Sequence, residues 1–101
     1  MGLFDFFTGN KNEKILDFIT RGAVIIDVRT ESEFAMGSIP GSKNIPLQVI
    51  SSKIESIKRL NKPVILCCRS GMRSGSATSI LTSHGIEAMN GGGWLSLSNK
   101  V

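Results

Sequence analysis

Val64-Ile65-Leu66-Cys67-Cys68-Arg69-Ser70-Gly71-Met72-Arg73 is the stretch that decides how this chain folds. Residues 64–67 are apolar without alternation and rich in β-branched side chains, the mark of a strand buried on both faces of a parallel sheet. A polar, glycine-containing loop follows at once. A helical pattern then runs over residues 72–83, with Ala77, Ile80 and Leu81 facing inward and Gly85 as its C-cap. In open parallel sheets, ligands bind beyond the carboxyl ends of the strands. Chemistry is therefore expected directly after Cys67.

Working outward, residues 23–28 read as a second buried strand, residues 43–45 as a brief one before Pro46, and residues 86–89 as the last. Gly91-Gly92-Gly93 reads as a flexible turn before Trp94. Asn12 is placed to cap a helix reaching Arg21, with Ile15, Leu16 and Ile19 on one face and Gly22 as the stop. Thr30-Glu31-Ser32-Glu33 is a capping box that opens a short helix carrying Phe34 and Met36. Ser52-Lys53-Ile54-Glu55 is a second box, on a helix whose apolar stripe is Ile50, Ile54 and Ile57, and Lys62-Pro63 breaks it. Strands alternating with helices of this length specify an α/β domain with a mainly parallel sheet. Residues 1–11 form an N-terminal segment, and residues 12–101 a single domain. Leu3, Phe4, Phe6 and Phe7 are expected to plug its core.

The chain has 101 residues, 41% of them hydrophobic, which suits one globular domain. A net charge of +4 favours small anionic substrates but is too mild and dispersed to argue for nucleic acid, and the absence of Tyr leaves no base-stacking platform. No apolar run approaches the roughly 18–20 residues of a membrane span. The first residues lack a basic region followed by a long apolar stretch, which argues against export, and Phe6 stands where myristoylation wants Ser or Thr. Two adjacent cysteines cannot frame a disulfide scaffold, and with one His they do not supply a structural zinc site. No metal and no cofactor is expected. A reducing, cytoplasmic home and a reactive thiol fit this usage.

Cys68 is the candidate nucleophile. A tight loop ending in a helix start gathers backbone N–H groups into an anion nest, and the helix dipole adds positive potential. Arg69 and Arg73 flank the same centre. Such settings lower a thiol from about 8.5 to roughly 3.5–7.5. The thiolate is then built to attack an electrophilic sulfur or phosphorus. Strand alternation turns Cys67 the other way, into a packed layer. Asp27 and Arg29 read as a structural set near a strand end, with Arg29 and Glu33 able to pair. His84 reads as a helix C-terminal cap, and Trp94 as a packing anchor.

Beyond these local patterns, the chain resembles the rhodanese family. Ile26-Asp27-Val28-Arg29, Glu33-Phe34 and residues 37–46 look like the family's N-terminal signature, residues 68–74 like its active-site loop, and Gly92-Gly93-Trp94 like its approach to the last helix. The resemblance covers residues 12–97. Ser38 and Ser42 depart from the usual His and Ala, at positions peripheral to the chemistry. It implies a three-layer α/β domain with a central, mainly parallel five-stranded sheet flanked by helices. It also implies a sulfurtransferase in which Cys68 takes the outer sulfur of a donor such as thiosulfate, becomes a persulfide, and passes that sulfur to cyanide or a thiol. Arg69, Ser70, Gly71, Met72 and Arg73 would bind the substrate and stabilise the persulfide anion.

Two other readings stand beside this one. Cys67, five residues, Arg73 and Ser74 match the spacing of tyrosine-type phosphatases, with arsenate reduction as a relative. Those enzymes also need a general acid, usually an Asp on a separate loop, and the acids here sit mostly in caps and strand ends. The domain can also be a persulfide carrier or binding module docking on an acceptor protein. Small anionic donors, thiol or cyanide acceptors and an acceptor protein are the expected partners, with no nucleic acid and no membrane span.

Overall fold

The computed structural model describes residues 10–101. The aromatic segment expected to plug the core lies outside the described residues. Four strands form among these residues: β1 (Val24–Asp27), β2 (Lys43–Asn44), β3 (Val64–Cys68) and β4 (Ala88–Gly93). All neighbours pair in parallel, in the order β2-β1-β3-β4. The five strands implied by the resemblance are four among the described residues. Among the described residues no helix is long and apolar enough to cross a membrane.

The β3 side chains alternate between two cores, which makes the domain three-layered. Val64, Leu66 and Cys68 join Ile26, Val28 and the stripe Ile50, Ile54 and Ile57 on one face. Ile65 and Cys67 join Ile15, Phe18, Met89 and Leu97 on the other. The first core is covered by a 3-10 turn over Leu47–Lys53 and by α3 (Ile54–Leu60) and α4 (Met72–Ser83). The second is covered by α1 (Lys11–Thr20) and α5 (Trp94–Ser98). The short α2 (Glu31–Ala35) opens on the expected capping box, with Thr30 and Glu33 bonding reciprocally.

Several local expectations are corrected. Asn10, not Asn12, caps α1, its side chain accepting from the N–H groups of Asn12 and Glu13. That start buries Phe18 beside Ile15 and leaves Leu16 64% exposed. The Ser52 box does not form. The 3-10 turn runs straight into α3, so Ser52 already lies inside a helical stretch, and its hydroxyl donates back to the Val49 carbonyl at 2.7 Å. Gly91-Gly92-Gly93 is no flexible turn but the end of β4. The register slips there, from Leu66 opposite Asn90 to Cys67 opposite Gly92, so Gly91 is an extra residue that bends the strand. This slip brings Gly92 and Gly93 level with the two cysteines at the carboxyl edge of the sheet.

Candidate active site

At that edge, β3 ends on Cys68, and α4 begins at Met72, directly after Gly71. Gly71 has φ +100, a left-handed conformation that folds the loop back over the strand end. Its N–H donates to Cys68 Sγ at 3.0 Å, and the Ser74 N–H donates at 3.4 Å. Ser74 Oγ lies 3.3 Å from the same sulfur. Burial pushes the Cys68 thiol up. The Ser74 hydroxyl and the N–H groups of Ser74, Ser70 and Gly71 outweigh it and bring the thiol below its ordinary range. The loop N–H groups and the Ser74 hydroxyl therefore converge on one sulfur, that of Cys68.

Cys67 is no more buried than Cys68, but its sulfur is surrounded differently. It is fully buried in the second core, and desolvation, with the nearby Asp27 charge adding, pushes its thiol up to about 12. A phosphatase loop counted from Cys67 would need this protonated, inward-facing thiol as its nucleophile.

The other site residues divide. Arg69 and Ser70 are exposed on the outer side of the loop, Gly71 is half-buried within it, and Met72 is exposed at the start of α4. Arg73 does flank the site, but its guanidinium is held by both Glu33 carboxylate oxygens, at 2.7 and 3.1 Å. This pairing, helped by the Thr30 N–H, lowers Glu33 to about 2. The Glu33 carboxylate therefore pairs with Arg73 and not with Arg29 as expected, because Asp27 claims Arg29, whose Nη1 reaches only the Glu33 backbone carbonyl, at 3.3 Å. The Arg29 Nε and a terminal nitrogen reach the Asp27 carboxylate at 3.0 and 2.7 Å, both residues being buried. Arg29 also donates to the Gly37 carbonyl at 2.7 Å and lies over the Trp94 ring, 4.7 Å from its centroid. This set ties the end of β1 to α2 and α5, a structural role, and Trp94 is its packing anchor. His84 sits at the far end of α4, its Nδ1 2.9 Å from the Ile80 carbonyl.

Sequence reading passed over Asn90. Its Nδ2 donates to the Gly71 carbonyl at 2.9 Å, and its Oδ1 accepts from Ser74 Oγ at 2.7 Å and from the Gly92 N–H at 2.9 Å. One amide thus joins the last strand, the loop and the first turn of α4. The available signal was a lone amide in an otherwise apolar strand, directly before a glycine run. Gly93 brings the same strand against the loop from the other side. A Cβ there would stand 2.7 Å from the Arg69 carbonyl oxygen, so only glycine leaves room for this approach.

Comparison with known proteins places this geometry. The family model described as Rhodanese-like domain matches residues 11–98. The uncharacterized protein YqhL of Bacillus subtilis is 43% identical over 65 residues, covering 64% of this chain and 51% of its own. The thiosulfate sulfurtransferase GlpE of Pseudomonas fluorescens (strain SBW25) is 33% identical over 75 residues, covering 71% of this chain and 68% of its own. The chain thus spans about half the length of the first of these relatives and about two thirds of the second. Among solved structures, the human single-domain sulfurtransferase TSTD1 superimposes with a TM-score of 0.66 at 29% identity, covering 82% of this chain and 90% of that one.

Proposed function

Because the chain belongs to the rhodanese-like domain family, several of whose members similar to it are named sulfurtransferases, we propose that it moves sulfane sulfur from thiosulfate to a thiophilic acceptor through a persulfide on Cys68. The observation that carries this reading is the sulfur of Cys68 at the end of β3. It accepts from the loop N–H groups, and its thiol lies below its ordinary range. The thiolate attacks the outer sulfur of thiosulfate. A new S–S bond forms, the S–S bond of thiosulfate breaks, and sulfite leaves with the bonding pair. The negative charge now rests on the outer persulfide sulfur, one bond farther out, where N–H groups of the loop from Arg69 to Arg73 can receive it. Cyanide or an acceptor thiolate then attacks that sulfur and returns Cys68 as thiolate. Exposed Arg69 is suited to draw in the dianionic donor, and Arg73, fixed by Glu33, adds positive potential at the loop without being free to wander.

The acceptor is a small thiophile or the thiol of a partner protein, and a reducing cytoplasm keeps the thiolate available. The test is mass spectrometry of the intact protein. Incubation with thiosulfate should add one sulfur atom, cyanide should remove it as thiocyanate, and Cys68→Ser should do neither while Cys67→Ser still does both. Loading that survives Cys68→Ser would sink the assignment. Phosphate release from an aryl phosphate, lost in Cys67→Ser, would move the chemistry to the other cysteine.

A further inference from the structure

We propose that Asn90 steers the hydroxyl proton of Ser74, drawing it away from Cys68 while the thiol is protonated and yielding it to the sulfur when the thiol ionises. Ser74 and Asn90 are then a pair of positioning residues for the nucleophile. The inference rests on the reading of Cys68 as the working thiol and concerns how its charge is managed.

Ser74 is fully buried, and its Oγ lies 2.7 Å from Asn90 Oδ1 and 3.3 Å from Cys68 Sγ. A hydroxyl has a single proton and can donate to only one of the two. The Asn90 amide cannot turn over to change this. Its Oδ1 receives the Gly92 N–H and its Nδ2 faces the Gly71 carbonyl, so a flipped amide would set N–H against N–H and oxygen against oxygen. Oδ1 can therefore only accept, and the hydroxyl proton lies on the shorter contact, toward Asn90. An Oγ lone pair then faces the sulfur, which is favourable only while sulfur carries its own proton and donates it to Oγ.

Ionisation reverses the preference. A lone pair facing a thiolate is repulsive, whereas O–H donated to a thiolate is a charge-assisted bond, roughly twice as strong as a neutral one. The hydroxyl rotates to Sγ. Asn90 Oδ1 is not orphaned, because the Gly92 N–H still donates to it. When the sulfur then enters a persulfide, the charge leaves Sγ for the outer atom, and the hydroxyl is free to return to Asn90. No atom is transferred on Ser74; its proton changes acceptor as the charge arrives and departs.

The charged groups around this cluster come from every packed element. They are Arg73 and its partner Glu33, the pair Asp27 and Arg29 at the end of β1, Arg69 on the loop, and Lys11, whose Nζ would lie 3.1 Å from a Cβ at Gly92. Both carboxylates are engaged by arginines. Cys67, pushed up to about 12, does not ionise where Cys68 does.

The test is a double-mutant cycle read by the pH dependence of Cys68 alkylation, located by mass mapping. In the Asn90 chain, Ser74→Ala removes the bond to the thiolate and should raise the alkylation midpoint by about 1 to 2 pH units. Asn90→Asp supplies a carboxylate that keeps the hydroxyl proton, so Ser74→Ala in that background should move the midpoint by less than about half a pH unit. An equal shift in both backgrounds, or no shift in the first, overturns the proposal. Should Asn90→Asp fold poorly, the side-chain amide signal of Asn90 in nuclear magnetic resonance provides a second readout. It should titrate with the Cys68 midpoint and stop doing so in Ser74→Ala; a signal indifferent to pH in the wild-type chain overturns the steering. Thiosulfate loading is measured on the same samples. Coupling without loading upholds the steering and removes the sulfur-transfer reading, whereas loading without coupling does the reverse.

Discussion

Gly93→Ala tests whether the last strand sets the position of the catalytic loop. The Gly93 backbone, at φ -71 and ψ 139, suits alanine, so the substitution brings no conformational strain. The difficulty is steric. The new Cβ would stand 2.7 Å from the Arg69 carbonyl oxygen, against an ordinary C···O approach of about 3.3–3.6 Å. The shortfall is about 0.6–0.9 Å, and the obstacle is backbone, which cannot rotate aside like a side chain. Either β4 or the loop must move. β4 is fixed by the pairs Cys67 to Gly92 and Cys68 to Gly93, whereas Arg69 and Ser70 are exposed, so the loop gives way. Overpacking of this kind costs about 1–3 kcal/mol, with a loss of roughly 4–8 °C in Tm for each kcal/mol in a domain of this size. A displaced loop also withdraws the Ser70 and Gly71 N–H groups from Cys68. The alkylation midpoint of Cys68 should then rise, and persulfide formation from thiosulfate should fall by about 10- to 100-fold. Ile57→Val is the control. It removes a buried methylene beneath α3 for about 0.5–1.5 kcal/mol and leaves the loop alone. If Gly93→Ala lost stability as Ile57→Val does, yet kept the wild-type midpoint and rate of sulfur loading, the coupling of strand to loop would be refuted.

Other perturbations read other parts of the structure. Asp27→Asn leaves the buried Arg29 without its counter-charge and should cost about 3–5 kcal/mol in urea unfolding; a loss below about 1 kcal/mol would mean that the Gly37 and Glu33 carbonyls and the Trp94 ring alone hold the guanidinium. Glu33 is depressed in the folded chain, so its pair with Arg73 stabilises fully above the ordinary glutamate value of about 4.3, and that contribution disappears as pH falls through about 2. The Tm difference between the wild-type chain and Glu33→Gln should accordingly be constant near neutrality and close at the acid end; closure near pH 4 would show that the pair is not formed. Because the Cys68 thiol is also depressed, sulfur loading should lose rate as pH falls through a midpoint below that of a free cysteine, and a midpoint at or above the free value would mean that burial outweighs the nest.

The architecture was legible because it rests on local patterns with one physical meaning. Residues 64–67 can only be a strand buried on both sides, and the Thr30 box signals its helix with a reciprocal bond that does form. Where patterns allowed two meanings, tertiary contacts chose. The Ser52 box was overruled by the 3-10 turn already in progress. The glycine run 91–93 looked like a flexible turn, yet it is strand because the loop packs too closely for any Cβ at Gly93. The Asp27–Arg29 set was legible at a spacing of two, whereas the carboxylate that holds Arg73 was decided by the fold: Glu33, forty residues away. Asn90 carried no motif at all. Its importance lies in three contacts to three segments, and no one-dimensional spacing encodes such a junction.

The two adjacent cysteines show how much the strand geometry alone determines. A period of two sends neighbouring side chains to opposite faces, so Cys67 enters one core while Cys68, buried in the other, meets the N–H groups of the loop. Identical side chains one peptide apart then shift in opposite directions, one raised by desolvation and the other lowered by donated hydrogen bonds. The same divergence turns the two thiols away from each other, so a disulfide between them would require β3 to break its pairing with both β1 and β4. Oxidation therefore cannot silence Cys68 through its neighbour without dismantling the centre of the sheet. The register that sets the Cys68 sulfur against the loop N–H groups is also what turns the thiol beside it away.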